Sequence, residues 1–261
     1  MYFYFYDKFT ADKQYEQVLT LIETRLIELG INGRVEKLSI FKNARELIED
    51  GIKKGAHTVV AVGDDRTFAT LVNIVAPYDV TLGYIPMIEG SRFAEVLGIP
   101  TGEEACTTLS RRLFTTTDLG KVNDYYFLGS VELPSHTNLK ITCDKQYTVQ
   151  TTSDTNRVRV MNMGDILGEG APRLAYASDG KLELVISPVV EGGMLRRKKK
   201  HSGVKESVFP VTHIDVDADG ETLSVNADGV STINTPCEID VVTRSQKIIV
   251  GKDRQIESDS N

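Results

Sequence analysis

The first 120 residues alternate between short apolar runs and longer segments in which apolar residues recur every three or four positions. The runs at Tyr2–Tyr6 and 58–62 are unbroken, which predicts strands buried on both faces. The spacing of apolar residues over 15–29 and 44–52 predicts two amphipathic helices, the second with Asn43 as its N-cap. Strands that alternate with helices in this way predict parallel pairing. An α/β domain is therefore expected.

Two more strand-to-helix units follow in the same half. A helical pattern over 68–75 stops before Pro77, because the residue before a proline is disfavoured in a helix. A strand at 81–85 leads through a loop into a short helix over 91–97 that ends at Gly98.

From about residue 118 onward, short β-type runs are separated by turn residues. This pattern predicts an all-β, sandwich-like second domain. We expect domains at 1–118 and 119–250, with the last strand free to return to the first domain, and a flexible tail at 251–261. Asp179-Gly180 and Asp228-Gly229 are typical of hairpin turns. The predicted strands are 139–142, 147–151, 157–161, 182–186, 208–216, 222–225, 238–242 and 247–250.

Composition narrows the function classes. With 30 basic and 37 acidic side chains, the chain of 261 residues has a net charge of −7, which disfavours a nucleic-acid surface. The 3 cysteines and 4 histidines show no metal-ligand spacing. No apolar run approaches the length of a membrane span, and the N-terminus lacks the features of a signal peptide, so a cytoplasmic protein is expected.

Two loops are candidates for ligand binding, because ligands bind beyond the carboxyl ends of parallel strands. The first contains Gly63, Asp64, Asp65, Arg66 and Thr67, and the second runs over 85–91 and includes Gly90 and Ser91. On local grounds alone, the first loop is equally explained as a strand-to-helix turn with Asp65 or Thr67 as the N-cap.

The two loops together resemble the catalytic domain of diacylglycerol kinases and related lipid kinases. The family motif Gly-Gly-Asp-Gly-Thr aligns with 63–67, where Gly63, Asp65 and Thr67 match and Asp64 and Arg66 replace glycines. The family stretch Ile-Pro-Leu-Gly-Thr-Gly-Asn-Asp-Phe-Ala aligns at 85–94, where Ser91 and Arg92 replace Asn and Asp. Weaker similarity continues at 118–128 and 178–182.

The resemblance implies a Rossmann-like α/β domain followed by a β domain, as in NAD kinases and diacylglycerol kinases, and ATP-dependent phosphoryl transfer to a lipid hydroxyl with Mg²⁺. It implies Asp65 and Asp228 as catalytic residues, the latter because Val230 stands where the family has its base. Asp179 is the candidate metal ligand. The residues that the resemblance implies for nucleotide binding are Gly63, Asp64, Arg66, Thr67, Gly90 and Ser91.

The substitutions keep alternatives open. Glycines in a phosphate loop let backbone N–H groups approach the phosphate, and Asp64 and Arg66 obstruct that approach. A catalytically degenerate nucleotide- or lipid-binding module is therefore the alternative, and an NAD kinase-like activity is the third, since NAD kinases share the first motif.

One basic run stands out in the acidic chain. It follows Gly192-Gly193 and predicts peripheral contact with an anionic membrane surface, the alternative being a solvated loop. A homodimer is left open. The basic residues are Arg196, Arg197, Lys198, Lys199, Lys200 and His201.

Overall fold

The computed structural model describes residues 1–38, 43–136, 139–151, 156–163, 177–188 and 206–256. Its first half alternates strands and helices, as the sequence predicts, and two short 3-10 turns over Lys8–Ala11 and Lys13–Tyr15 precede the first helix. The elements are β1 (Tyr2–Tyr6), α1 (Glu16–Glu28), β2 (Arg34–Lys37), α2 (Ala44–Lys53), β3 (Thr58–Gly63), α3 (Asp65–Val75), β4 (Thr81–Pro86), α4 (Arg92–Leu97) and α5 (Glu103–Arg111).

The four strands of this half form a parallel sheet in the order β2-β1-β3-β4. All five residues of β1 are buried, as are Val59 to Val62 of β3, because helices cover both faces of the sheet. Helix α2 begins after Asn43, whose side chain accepts the Arg45 N–H as predicted. The apolar residues over 35–40 predict a weaker second strand, which the structure has as β2 at Arg34–Lys37; positions 39–40 lie outside the described residues.

Helix α5 was not predicted from the sequence. Its buried stripe contains small or polar side chains, Ala105, Cys106 and Thr108, with Leu109 as the one large apolar residue. Its N-cap is Gly102, which has no side chain to accept a hydrogen bond. Both signals on which a helix prediction rests are therefore weak in this segment.

The second half is antiparallel. A separate six-stranded sheet has the order β12-β11-β10-β7-β14-β15, and a second apolar core lies between it and the remaining strands. The elements are β5 (Phe114–Val122), β6 (Tyr125–Phe127), β7 (Ser130–Leu133), β8 (Lys140–Cys143), β9 (Tyr147–Gln150), β10 (Asn156–Met161), β11 (Leu182–Pro188), β12 (Ser207–Val211), β13 (His213–Asp217), β14 (Ser224–Ala227), β15 (Ser231–Asn234) and β16 (Cys237–Ile249). An α/β domain with a parallel sheet plus an antiparallel β domain confirms the predicted fold class.

Two long strands join the halves. β16 pairs with β5 along both of their lengths and runs parallel to β4 through Lys247 and Ile248. The parallel sheet thus continues into the β domain as one sheet of 10 strands. The strands predicted at 238–242 and 247–250 are one strand with a bulge between Val242 and Gln246, and the residue 118 boundary falls inside β5. The run predicted at 208–216 is instead two strands, β12 and β13.

Asp118 fixes this junction. Its side chain is buried, and its carboxylate accepts the N–H groups of Arg244 in the bulge and of Gly180, each at 2.7 Å. The Asn162 side-chain amide donates to the Asp118 carbonyl and to the Leu128 carbonyl, at 2.9 and 2.8 Å. One buried carboxylate therefore holds the bulged strand and the turn before β11 together.

The chain after β16 packs against α4. Gly251 donates its N–H to the Leu97 carbonyl, and Gln255 donates to the Val96 carbonyl. A Cβ on Gly251 would lie 1.6 Å from the Gly98 carbonyl oxygen, so only glycine permits this approach. Of the tail predicted at 251–261, these hydrogen bonds hold 251–256 against α4, and 257–261 lie outside the described residues.

We predict that Asp118→Ala lowers the free energy of unfolding by about 2–4 kcal/mol, because the N–H groups of Arg244 and Gly180 lose their buried carboxylate acceptor. Urea unfolding of wild type and variant measures the change. The exposed Asp124→Ala variant is the control, with an expected change within about 0.5 kcal/mol. Equal losses in the two variants would contradict the role of Asp118.

His213 predicts a pH dependence of stability. Its Nδ1 lies 2.7 Å from Asp240 and its Nε2 lies 3.2 Å from Asp215, and the hydrogen bond with Asp240 raises the pKa of the imidazole above 6.5. The stabilisation is complete below pH 6.5 and is lost as the pH rises through the higher folded-state pKa. The stability difference between wild type and His213→Gln should shrink over that range. A pH-independent difference would contradict this account.

Candidate active site

The two loops predicted to bind a ligand lie side by side. β3 and β4 are adjacent parallel strands with Gly63 opposite Pro86, so their carboxyl ends reach the same edge of the sheet. The Met87 N–H donates to the Gly63 carbonyl at 2.8 Å and ties the loops together. A Cβ on Gly63 would lie 2.5 Å from Thr67 Oγ1, so a side chain there would collide with the start of α3.

Asp64 caps helix α3. Its backbone is extended (φ −104°, ψ −175°), and its Oδ1 accepts the Thr67 N–H at 2.9 Å. The Asp64 N–H in turn faces Thr67 Oγ1 at 3.4 Å, which completes a capping box. The N-cap is therefore Asp64, and the predicted alternatives, Asp65 or Thr67, are wrong because both residues lie inside the helix.

Asp7, directly after β1, faces the same turn. Thr67 Oγ1 lies 2.8 Å from Asp7 Oδ2 and 2.9 Å from Asp64 Oδ1, so the Thr67 hydroxyl sits between two carboxylates. Asp7 Oδ1 also accepts the Phe9 N–H. Sequence reasoning missed Asp7, although its place at the carboxyl end of a buried strand was a usable signal.

Asp65 binds the start of α4. Its Oδ2 accepts the Arg92 N–H at 2.8 Å, and its Oδ1 accepts from the Ser91 hydroxyl and from the Tyr84 hydroxyl at 3.2 Å. A carboxylate is stabilised at a helix N-terminus, where N–H groups are unpaired. Burial, together with the charge of Asp65, raises the pKa of Tyr84 and keeps its hydroxyl protonated as a donor.

The residues around Asp65 have distinct places. Ser91 is the N-cap of α4 and accepts the Ala94 N–H at 3.0 Å. Gly90 has a positive φ of 78°, which turns the loop into that cap. The Arg66 side chain is exposed beside the loop. Tyr84, which the sequence did not single out, stacks on Phe68 with ring centroids 4.6 Å apart.

Asp228 comes from the β domain. It lies in the turn between β14 and β15, as the Asp-Gly pattern predicts, and Asp228 and Gly229 have φ values of 49° and 68°. Its carboxylate accepts the N–H groups of Leu128, Gly129 and Ser130 at 2.8 to 3.0 Å. A carboxylate has about four acceptor positions, so roughly one is left on Oδ2.

The two candidate catalytic carboxylates interact. Burial raises the pKa of Asp228 to about 6 against the opposing effect of its three backbone hydrogen bonds, and the negative charge of Asp65 raises it further. Asp65 of the α/β domain thus lies close enough to Asp228 of the β domain for its charge to act on the Asp228 carboxyl. Val230, two residues on, packs against the core of the α/β domain.

Asp179, the candidate metal ligand, makes a local hydrogen bond within its own turn. Its Oδ1 accepts the Lys181 N–H at 3.0 Å and closes its own turn before β11. Within the described part of the chain, no group of three or more His, Cys, Asp or Glu residues is arranged to hold a metal ion. Hard carboxylate oxygens suit Mg²⁺, but those of Asp65 and Asp228 already accept N–H and O–H groups. The described residues therefore do not fit a resident magnesium ion.

The basic run Arg196–Lys200 lies outside the described residues. Across the described ranges, no helix combines the length and apolar character needed to cross a membrane.

Fold and site define a two-domain protein with Asp65 in its α/β domain and Asp228 in its β domain. Residues 2–122 match the family model of the diacylglycerol kinase catalytic domain. This match covers the α/β domain and β5, a little under half of the chain.

Solved structures share the fold. A diacylglycerol kinase from Bacillus anthracis str. Sterne has a TM-score of 0.75 at 19% identity, with 96% of this chain and 97% of that chain covered. A further structure from the same bacterium has a TM-score of 0.74 at 18% identity with the same coverage. No match was found among curated proteins.

We predict that Asp65→Asn lowers the pKa of Asp228, because it removes a negative charge that raises this pKa while the amide oxygen still accepts the Arg92 N–H. Carboxyl-carbon NMR titration of Asp228 measures the shift. The exposed Asp12→Asn variant, on the same domain, should leave the pKa of Asp228 unchanged. An Asp228 pKa that is the same in all three proteins would show that the two carboxylates do not interact.

Proposed function

We propose that the chain transfers the γ-phosphoryl group of ATP to a lipid hydroxyl. The observation that carries the proposal is a buried Asp228, held by three backbone N–H groups and within range of the charge of Asp65, in a chain whose residues 2–122 match the diacylglycerol kinase catalytic domain. Phosphoryl transfer relies mainly on positioning and charge neutralisation, and Mg²⁺ arrives with ATP as its complex.

Asp228 is the general base of this proposal. A base works best when its pKa lies near the working pH, and burial raises the Asp228 pKa to about 6. The acceptor position left on Oδ2 takes the proton of the lipid hydroxyl as the hydroxyl oxygen attacks the γ-phosphorus and the bond from that phosphorus to the β–γ bridging oxygen breaks. The three backbone N–H groups hold the carboxylate in place.

Asp64 sets the strength of nucleotide binding. A phosphate at the start of α3 needs the Thr67 N–H, and the Asp64 carboxylate already accepts it. Asp7 and Asp65 add negative charge beside the same turn. Because of this competition and this charge, we expect weak ATP binding and slow phosphoryl transfer.

The self-capped turn also favours a second candidate function, a nucleotide- or lipid-binding module without turnover. That function requires ligand-induced thermal stabilisation, since a ligand that binds the native state raises stability. It requires no transfer of phosphate.

The test of the kinase proposal incubates the protein with γ-³²P-labelled ATP, Mg²⁺ and vesicles containing diacylglycerol and other hydroxyl lipids. We expect labelled lipid, with a rate that rises with pH through about 6 and that falls at least about a hundredfold in Asp228→Asn, as is typical when a general base is lost. The exposed Asp124→Asn is the matched control. No labelled lipid, in an assay that detects an active lipid kinase, would overturn the kinase and leave the binding module.

Asp64→Gly tests the competition for the helix terminus. Glycine is tolerated as an N-cap and frees the Thr67 N–H, so we expect ATP affinity with Mg²⁺ to rise about tenfold, equivalent to roughly 1.4 kcal/mol. Arg66→Gly should raise affinity if the bulk of the arginine obstructs the phosphate. Calorimetric titration measures both variants, with Asp219→Gly as the control. Unchanged affinity in Asp64→Gly would show that Asp64 does not compete with phosphate.

A further inference from the structure

A cavity of about 400 Å³ opens at the amino-terminal edge of the parallel sheet, the edge opposite Gly63 and Asp65. We name it the basal cavity; its walls include Tyr2, Asn32, His57, Arg112, Phe114 and Ile249. Its volume lies within the range of about 300–1,000 Å³ that is usual for small-molecule sites. Because it lies at the other end of the strands, a ligand there is not the nucleotide of the proposed reaction.

The charge of the basal cavity is unusual for this chain. The protein has a net charge of −7, and the groove beside α4 and α5 is lined by Glu89, Glu95, Glu103 and Glu104. None of the residues that line the basal cavity is acidic, while Arg112 and His57 contribute basic side chains. A negatively charged ligand is therefore favoured here.

Arg112 is held in place before any ligand arrives. Its Nε donates to the Tyr2 hydroxyl at 3.1 Å, and its guanidinium lies 5.5 Å from the centre of the Tyr2 ring. Its backbone is left-handed (φ 51°), a conformation that costs energy for a residue with a side chain. The terminal Nη1 and Nη2 groups are bonded to no residue in the described part of the chain, and such a fork matches an oxyanion with two parallel hydrogen bonds.

The apolar wall fits the rest of a ligand. Phe114 and Ile249 pair directly across β5 and β16, and both line the cavity. Phe114 is 54% exposed, a large value for a phenylalanine in an ordered strand. A flat apolar body packed on Phe114 would remove this surface from water, which is favourable.

We propose that the basal cavity binds a small molecule with a flat apolar body and one oxyanion group, a carboxylate or a phosphate monoester. The oxyanion pairs with the Arg112 guanidinium, and the apolar body packs on Phe114. The site is independent of the proposed kinase function, since Asp65, Asp228 and the loop at 63–67 are not among the residues that line it.

The test titrates the full chain with 2-naphthyl phosphate, with 2-naphthoate and with uncharged 2-naphthalenemethanol, followed by calorimetry and amide NMR. We expect at least one anion to bind at least tenfold more tightly than the neutral compound and to shift the amide signals of Phe114 and Ile249 but not that of Thr67. The tighter of the two anions identifies the oxyanion source.

Arg112→Asn is the matched variant, because asparagine tolerates the left-handed conformation and should leave the melting temperature close to that of the wild type. Anion binding should weaken at least tenfold in Arg112→Asn and stay within twofold in Arg111→Asn, which changes the neighbouring arginine. Anion binding no tighter than that of the neutral compound, equal affinities in the two variants, or amide shifts at Thr67 in place of Phe114 would overturn the proposal.

Discussion

The carboxylate of Asp64 occupies the N-terminus of α3, and the chemistry of the cleft depends on that contact. A helix begins with N–H groups that have no partner in the helix, and these groups are what a strand-to-helix loop offers to a phosphate. Here Asp64 accepts the Thr67 N–H, and the Thr67 hydroxyl lies between Asp64 and Asp7. The Thr67 N–H is thus already bonded within the loop, and a phosphate that binds it must displace the Asp64 side chain.

The two domains are joined by a sheet that continues through both of them. β5 and β16 pair on both sides of a bulge, and the buried Asp118 accepts an N–H from that bulge and another from the turn before β11. The bulge redirects β16 without breaking the sheet, so one strand belongs to both domains. The negative charge of Asp65 in the α/β domain acts on Asp228 in the β domain.

Much of the α/β domain followed from the sequence, because buried parallel strands and amphipathic helices each leave a periodic pattern. The strands β1, β3 and β4 show this, and in the β domain the Asp-Gly pattern correctly predicted the turn at Asp228-Gly229. Helix α5 was not predicted, since its buried positions hold mostly small and polar residues. The joining of two predicted strands into β16 also escaped prediction, because a bulge of polar residues has the same pattern as a turn.

The candidate site was predicted less completely. The motif at 63–67 identified the loop, but only geometry distinguishes Asp64, which caps α3, from Asp65, which binds α4. Neighbouring acidic residues in a turn carry no sequence signal for the direction of each side chain. Tyr84, Asp118 and Asn162 were missed for a related reason: a polar residue in or beside a strand gives no indication of its partner.

The most direct test of the account is a pair of crystal structures, wild type and Asp64→Gly, each grown with a non-hydrolysable ATP analogue and Mg²⁺. We expect a phosphate oxygen within hydrogen-bond distance of the Thr67 N–H in the variant, and the Asp64 carboxylate still on that N–H in the wild type. A wild-type structure in which the triphosphate sits on the Thr67 N–H with Asp64 turned away would contradict it.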